Sequence, residues 1–283
     1  MKINCSINGK AVPRTKAKIS VFDNSLFYAE GLFETFLALG DSVIFLDDHL
    51  DRLERGAALI GIELPVSRAT IIRWINAANM KNSSPVKKIR VTVTAGDSAF
   101  WAGKKSKPNI IIIVTEYEIP TRPWKLTVSP YGVDQGSPFR NVKTLSFIIE
   151  MTSRKNAHSD RYDDAILLNR NGNVAETTSA NIFWIKNGVL YTTPIGAGCL
   201  EGMTRRHIIE LASAHDIAVK IKNVKLDDLL ASDEIFVTSS IKLILPVISI
   251  DTDRRHKYKV GPLTRRLQKL LWEHIENTVE GME

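Results

Sequence analysis

Two observations predict an α+β fold in two domains. Strand-like and helix-like segments cluster along the chain instead of alternating, which argues against a doubly wound parallel sheet. The prolines of "EIPTRPW", Pro120 and Pro123, interrupt the pattern between two such clusters. A chain of 283 residues has room for two modest cores. The expected division is a small α+β domain over residues 1–119 and a larger domain over residues 124–283.

The elements follow in order. "INCSINGKAV" breaks at Asn8-Gly9, a hairpin signal. "GLFETFLALGDSVIFL" reads as a second hairpin turning at Gly40-Asp41. In "DDHLDRLERGAALIGI", Leu50, Leu53, Ala57 and Ile60 recur at helical spacing, and Asp47 or Asp48 is the expected N-cap. "SRATIIRWINAANM" predicts a second helix. "VKKIRVTVTAG" alternates as a half-buried strand, and the β-branched run "NIIIIVTEY" reads as a strand buried on both faces. These strands pair antiparallel in the expected topology.

Beyond the prolines, "KTLSFIIEMTSRKNAH" predicts a helix with Leu145, Ile148, Ile149 and Thr152 on one face. "DDAILLN" and "SANIFWI" read as strands joined through "RNGN", and "KNG" turns the chain into "VLYTTP". A Gly-containing loop, "GAGCLEG", leads to the helix "MTRRHIIELASAHDI". "DEIFVTSS" is a strand ending in hydroxyls, "LILPVISI" another, and "GPLTRRLQKLLWEHI" a helix striped by Leu263, Leu267, Leu270, Leu271 and Ile275.

Composition excludes several classes. A hydrophobic fraction of 44% with 24% charged residues excludes a disordered chain. The net charge of +7 is spread over short clusters without interleaved aromatics, so no nucleic-acid partner is expected. No apolar run approaches the ~20 residues of a membrane-spanning helix, and no membrane partner is expected. Cys5 and Cys199 form neither a disulfide framework nor a metal pattern, and the N-terminus lacks the apolar core of a signal peptide. A reduced, cytoplasmic protein without a metal is expected.

Several segments carry candidate chemistry. "LEGMTRR" puts Met203 and Thr204 at a helix start, where unpaired N–H groups and the helix dipole attract phosphate. "VTSS" supplies Ser239 and Ser240 at a strand end, and Arg52 in "HLDRLER" carries a guanidinium fork suited to phosphate. Singly, each has an ordinary explanation, whether an N-cap, a loop, or an ion pair of Arg52 with Asp48 or Glu54. Neither a Walker run nor a Rossmann glycine fingerprint is present. Lys143, in "SPFRNVKTLSFIIE", lies among Val142, Leu145, Ile148 and Ile149, and burial there would favour a neutral, nucleophilic amine. Glu176 stands among small residues in "NVAETTSANIFW". A lysine, a phosphate cup and an acid are what pyridoxal phosphate requires: an imine partner, an anchor, and a group that keeps the ring nitrogen protonated. Thr177, Thr178, Ser179 and Ala180 would let the flat cofactor approach the backbone.

In order and spacing, "VKTLSF", "AILLNRNGNVAETTSANIFWIKNGVLYTTP", "GCLEGMTRRHIIELA" and "SDEIFVTSS", with "GLFETF" and "FLDDHLDRLERGAALIGI" before them, resemble the class IV aminotransferase family of fold-type IV pyridoxal-phosphate enzymes. That family includes branched-chain aminotransferases, D-amino-acid aminotransferases and aminodeoxychorismate lyases. The resemblance implies a small N-terminal α/β sandwich followed by a larger domain with a β-barrel-like core, and a homodimer. It implies Lys143 as the cofactor-binding lysine and catalytic acid/base, carried with Glu176 by the larger domain. Glu176 becomes the partner of the pyridine nitrogen, and Arg52, Met203, Thr204, Ser239 and Ser240 the phosphate cup. Asn181 supports the loop.

Substrate choice is less clearly written. The arginine–x–histidine loop of D-amino-acid enzymes is replaced by "TAGDSAFWAG", where Phe100 and Trp101 are candidate pocket walls. The arginine that often follows "FETF" in the lyases is Leu37 here. Arg90, then Arg140, are candidates for the substrate carboxylate, and Phe33 is a further candidate substrate residue. The expected reaction is amino transfer between an amino acid, branched-chain-like or D, and a 2-keto acid. The alternative is the lyase reaction releasing pyruvate and 4-aminobenzoate. A binding protein without catalysis is a third reading, disfavoured because both the lysine and the acid are present.

Overall fold

The computed structural model describes residues 3–97 and 107–280. Its chain divides into two compact units: one runs to Ile119 and regains Val142–Ser146, the other comprises Pro120–Asn141 and the chain from Phe147 onward. Lys143 therefore belongs to the first unit, whereas the sequence places it in the larger domain. Its short segment is paired to a strand of the first unit.

The first unit contains β1 (Ile3–Ile7), β2 (Lys10–Val12), α1 (Asn24–Tyr28), β3 (Gly31–Leu39), β4 (Ser42–Val43), α2 (Leu46–Leu59), α3 (Arg68–Met80), β5 (Val86–Thr94) and β6 (Asn109–Glu116). The strands form one antiparallel sheet in the order β2-β1-β6-β5-β3-β4. Asn8 and Gly9 both take positive φ, the geometry a two-residue hairpin requires. Strand alternation puts Leu32, Phe36, Ile89, Val91, Val93, Ile110, Ile112 and Val114 on the face that meets Leu50 and Leu53 of α2 and Ile71 and Ile75 of α3. Each such side chain contributes about 1.5–3 kcal/mol by leaving water. β6 is not buried on both faces: its residues alternate between fully and partly buried, because helices cover only one side with apolar contact.

The start of α2 also differs from expectation. Its N-cap is Phe45, in the left-handed region, and no side chain caps the helix. Asp47 lies inside the first turn and accepts instead from Arg68, which also binds Asp51 and Glu54. Acids in the first turn still suit the helix dipole.

The second unit contains β7 (Trp124–Val128), α4 (Ile148–Ser159), β8 (Asp164–Leu168), β9 (Val174–Thr177), β10 (Asn181–Lys186), β11 (Val189–Thr192), α5 (Met203–Ala214), β12 (Val219–Ile221), α6 (Leu226–Leu230), β13 (Glu234–Ser239), β14 (Leu243–Asp251), β15 (Arg255–Lys257) and α7 (Pro262–Glu280). Its strands follow the order β12-β11-β10-β13-β14-β7-β8-β9, with β15 against β14, and the sheet curls as a half-barrel. "RNGN" joins β8 to β9, a strand that sequence periodicity does not reveal because it is only four residues long. The α4 helix begins at Ile148 and buries Glu150, Ser153 and Ala157, leaving Ile148 and Ile149 exposed. In α7 the buried set is Thr264, Leu267, Leu271 and Ile275. Its first turn is capped from a distance, as Leu263 and Thr264 donate their N–H groups to the Glu234 carboxylate.

Candidate active site

Because side chains alternate along β3, Phe33 and Glu34 point to opposite faces of the sheet. Glu34 faces α2, where residues three apart present His49 and Arg52 together. The Arg52 Nε–H donates to Glu34 Oε1 and Nη2–H to Oε2, both at 2.7 Å, and His49 Nδ1 lies 2.7 Å from Oε2. All three side chains are buried. Burial pushes the Glu34 carboxyl up, but Arg52 and His49 outweigh it and hold the group well below the usual carboxylate range. Burial pushes His49 down by more than Glu34 pulls it up, with Arg52 and Lys143 acting in the same direction as burial. The imidazole is therefore neutral, donating from Nδ1, and its Nε2 is buried without a partner.

The other face of β3 presents Phe33. Across the ladder it pairs with Thr92, while Arg90 pairs with Thr35. The Arg90 guanidinium lies 3.6 Å from the Phe33 ring centroid and its Nε–H donates to Thr92 Oγ1 at 3.2 Å. Among the described residues Arg90 has no carboxylate partner, and burial pushes its pKa down. The half-buried Lys143 Nζ lies 4.6 Å from the same ring centroid. Its apolar neighbour is thus Phe33, with Ile148 and Ile149 turned outward.

Backbone pairing fixes this lysine. Phe33 N–H donates to the Lys143 carbonyl and Leu145 N–H to the Gly31 carbonyl, each at 2.9 Å. Two glycines make room for the segment. A Cβ on Gly31 would lie 2.6 Å from both Leu145 Cδ1 and the Val93 carbonyl, and one on Gly56 would lie 3.0 Å from Val142 Cγ1.

In the second unit Glu176 is buried on β9. Its Oε1 accepts from Arg140 Nη2 at 2.9 Å, and its Oε2 accepts from Asn181 Nδ2 and Leu200 N–H, each at 3.2 Å. The neighbouring hydroxyls of Thr177, Thr178 and Ser179 all donate to the fully buried Asp164 carboxylate. The bend between β9 and β10 is thereby tied to β8. Lys242 Nζ adds a bond to Ser179 Oγ at 2.8 Å.

Arg140 does not suit a substrate carboxylate. Its Nη1 donates to Glu150 at 2.7 Å, its Nη2 to Glu176, and its Nε to the Gly198 carbonyl at 2.9 Å. Two carboxylates and a carbonyl engage all three of its nitrogens.

Several buried donors of the second unit have no hydrogen-bond partner among the described residues. The hydroxyls of Thr204, Thr238 and Ser239 are buried without partners, as is Nε of Arg205. Thr204 lies in the first turn of α5, whose capping residue is Gly202, and α5 packs against β13. A Cβ on Gly202 would lie 2.0 Å from Asn181 Oδ1. Asn181 is paired to Thr238 across the β10–β13 ladder, so one residue touches Glu176, the start of α5 and the end of β13. Met203 is buried, which leaves its N–H as the polar group it can offer, and Ser240 is half-buried in the turn after β13. The Cys199 thiol, donating to the Pro194 carbonyl at 3.4 Å, is pushed up to about 11 by burial and then by Glu176, which disfavours the thiolate.

Of the residues the sequence singles out, the structure brings Phe33, Arg90 and Lys143 together in the first unit. In the second, Asn181 bonds Glu176 and pairs with Thr238, the chain neighbour of Ser239. Arg52 is bound to the buried Glu34. Phe100 and Trp101 lie outside the described residues. Sequence reasoning misses Glu34, His49 and Glu150. Glu34 leaves a signal, a lone carboxylate inside the apolar run "GLFETFLAL", whereas nothing in the sequence pairs Glu150 with Arg140.

The pattern of the family described as amino-transferase class IV matches residues 31–250. A putative branched-chain-amino-acid aminotransferase of Methanocaldococcus jannaschii is 34% identical over 270 residues, covering 93% of each chain. Aminodeoxychorismate lyase of Bacillus subtilis is 29% identical over 282 residues, covering 96% of this chain and 95% of the relative. Among solved structures, the branched-chain aminotransferase of Thermoproteus uzoniensis with norvaline is similar with a TM-score of 0.85 at 26% identity, covering 94% of this chain and 92% of that one.

Proposed function

Since the chain belongs to the class IV amino-transferase family, we propose that it moves an amino group between an amino acid and a 2-keto acid with pyridoxal phosphate as cofactor. Bound pyridoxal phosphate supplies an electron sink for the carbanion formed when the substrate Cα–H bond breaks. The residues present fit that group: unpartnered buried hydroxyls for a phosphate, a buried carboxylate for a pyridine nitrogen, and a half-buried lysine for the aldehyde.

Lys143 would hold the cofactor's aldehyde and is the amine that would move the proton at the substrate Cα. Glu176 keeps the ring nitrogen protonated. Thr204, Ser239 and Ser240, with the N–H groups at Met203 and Thr204, bind the phosphate, and Arg52 is its guanidinium. Arg90 binds the substrate carboxylate and Phe33 holds that guanidinium flat. The observation that carries this reading is the shared ring. Lys143 and Arg90 both lie against Phe33, and Arg90 has no carboxylate partner among the described residues. A base and an anion receptor on one aromatic are what an α-amino or α-keto acid requires.

The lyase is the second reading, favoured by the Bacillus subtilis relative. The transaminase is preferred because β3 offers Leu37, almost wholly buried, where the lyase reading wants an arginine. We place the protein in the reduced cytoplasm, in keeping with its two free cysteines, and no helix of the described residues is long and apolar enough to cross a membrane. The proposed assembly is a homodimer. Val21, Phe22, Leu26 and Phe27 of the first unit are each more than half exposed, an apolar stretch that suits a protein contact.

Absorption spectroscopy of the cofactor-loaded protein tests the function. Loss of the cofactor's lysine-bound band with single L- or D-amino acids, reversed by a keto acid, is expected. A band that persists with every amino acid, with pyruvate released only from aminodeoxychorismate, would replace amino transfer with the lyase. In Lys143→Ala the borohydride-reducible link should vanish; its retention would assign the link to another lysine.

A further inference from the structure

Arg140 joins two carboxylates that lie far apart in the chain, and the sum of the three charges is informative. Glu150 comes from the first turn of α4 and Glu176 from β9, and both are buried. Arg140 stands between them, 2.7 Å from Glu150 Oε1 and 2.9 Å from Glu176 Oε1. An arginine against Glu176 alone would make a neutral pair and leave nothing to balance a cationic ring nitrogen. With Glu150 included, the cluster carries one negative charge. Arg205 and Glu201, which also act on one another near Glu176, offset each other. The Gly198 carbonyl, Asn181 Nδ2 and Leu200 N–H add dipoles to the three charges.

We infer that Glu150 and Arg140 are positioning residues for Glu176: Arg140 aims the Glu176 carboxylate, and Glu150 cancels the arginine's charge so that the cluster presents one net negative charge to the cofactor nitrogen. The inference rests on the reading of Glu176 as the partner of that nitrogen. It assigns Arg140 to the cofactor side of the reaction and gives Glu150, the other carboxylate on Arg140, a defined electrostatic role. The two variants consequently act with opposite sign. Glu150→Gln keeps an acceptor of the same shape for Arg140 but neutralises the cluster. Arg140→Gln leaves two negative charges and one donor fewer on Glu176.

The test is the ¹⁵N chemical shift of pyridoxal phosphate labelled at the ring nitrogen and bound to the intact protein, with cofactor affinity measured by equilibrium dialysis. In the unaltered protein the signal should lie in the protonated pyridinium range, and in Glu176→Gln in the unprotonated range. In Glu150→Gln it should move toward the unprotonated range, corresponding to about a tenfold fall in proton binding at the nitrogen. In Arg140→Gln the nitrogen should stay protonated while cofactor affinity falls severalfold. Thermal melts identify a variant that fails to fold, and either variant alone still decides the sign. A shift in Glu150→Gln matching the unaltered protein, or deprotonation in Arg140→Gln, would overturn the inference and leave the Glu176 reading standing. An unprotonated nitrogen in the unaltered protein would overturn both.

Discussion

At the scale of single residues, burial decides which charges are available for chemistry. Arg52 is held by the buried Glu34 carboxylate beside His49, which fixes the guanidinium that the proposed function gives to the phosphate. Arg90, stacked on Phe33 and bonded to a threonine hydroxyl, has charge to offer a ligand. Arg90→Ala should raise the substrate KM about tenfold or more with cofactor affinity unchanged, as expected for loss of a charge-assisted hydrogen bond of about 1.5–3 kcal/mol. An unchanged KM in steady-state kinetics would remove Arg90 from the substrate site. His49 sets a pH dependence. Its folded value lies below the ordinary 6.5, so the unfolded chain takes up a proton that the folded one refuses. Stability should therefore fall as pH drops below 6.5, by at most about 1.4 kcal/mol per pH unit. A second loss follows as pH falls through the ordinary Glu34 value of 4.5, because that folded carboxyl is depressed and must be protonated. Urea unfolding of His49→Asn at about pH 7.5 and about pH 5.5 should show the upper part of this slope removed; the same slope in both proteins would refute it.

Among elements, β3 does the most. One face builds the core with α2 and α3, the other carries Phe33, and its edge pairs with the Lys143 segment. The pairing works because Gly31 has no side chain. Gly31→Ala forces a Cβ to 2.6 Å from a backbone carbonyl, which cannot yield as a side-chain tip would. The expected cost is about 1–3 kcal/mol of stability together with displacement of Lys143, so turnover should fall further than the melting temperature suggests. Normal turnover in a destabilised Gly31→Ala would show that the lysine tolerates movement. The β3 pattern also marks what is legible in the sequence. Its hairpin pattern locates the strand, and the intruding Glu34 signals a buried partner without naming it. Glu176 is legible by the same kind of misfit, but its donors are not, since Arg140, Asn181 and Leu200 approach from three separate segments. The cap of α2 is ambiguous in sequence because acidic residues near a helix start suit both a cap and a first turn.

For the molecule as a whole, the apolar stretch of Val21, Phe22, Leu26 and Phe27 is the main exposed apolar feature of the first unit. The proposed homodimer places it in a contact. Sedimentation equilibrium should give twice the chain mass for the unaltered protein, and a shift toward monomer in the double variant Phe22→Asp with Leu26→Asp. A dimer undisturbed by two buried charges would place the interface elsewhere. Each unit surrounds its own core, one under an antiparallel sheet and one within a curled sheet of nine strands.

The sequence by itself determined the class of fold, the order of most elements, and the lysine, acid and hydroxyls from which the family was recognised. These depend on periodicity and local chemistry, which a linear chain displays. Only the tertiary structure decided that Lys143 rides on the first unit, that Arg140 is occupied by Glu150 and Glu176, and that Arg90 meets no carboxylate among the described residues. Those outcomes depend on which distant groups meet in a buried setting, where a charge is held or released by partners that sequence spacing does not specify.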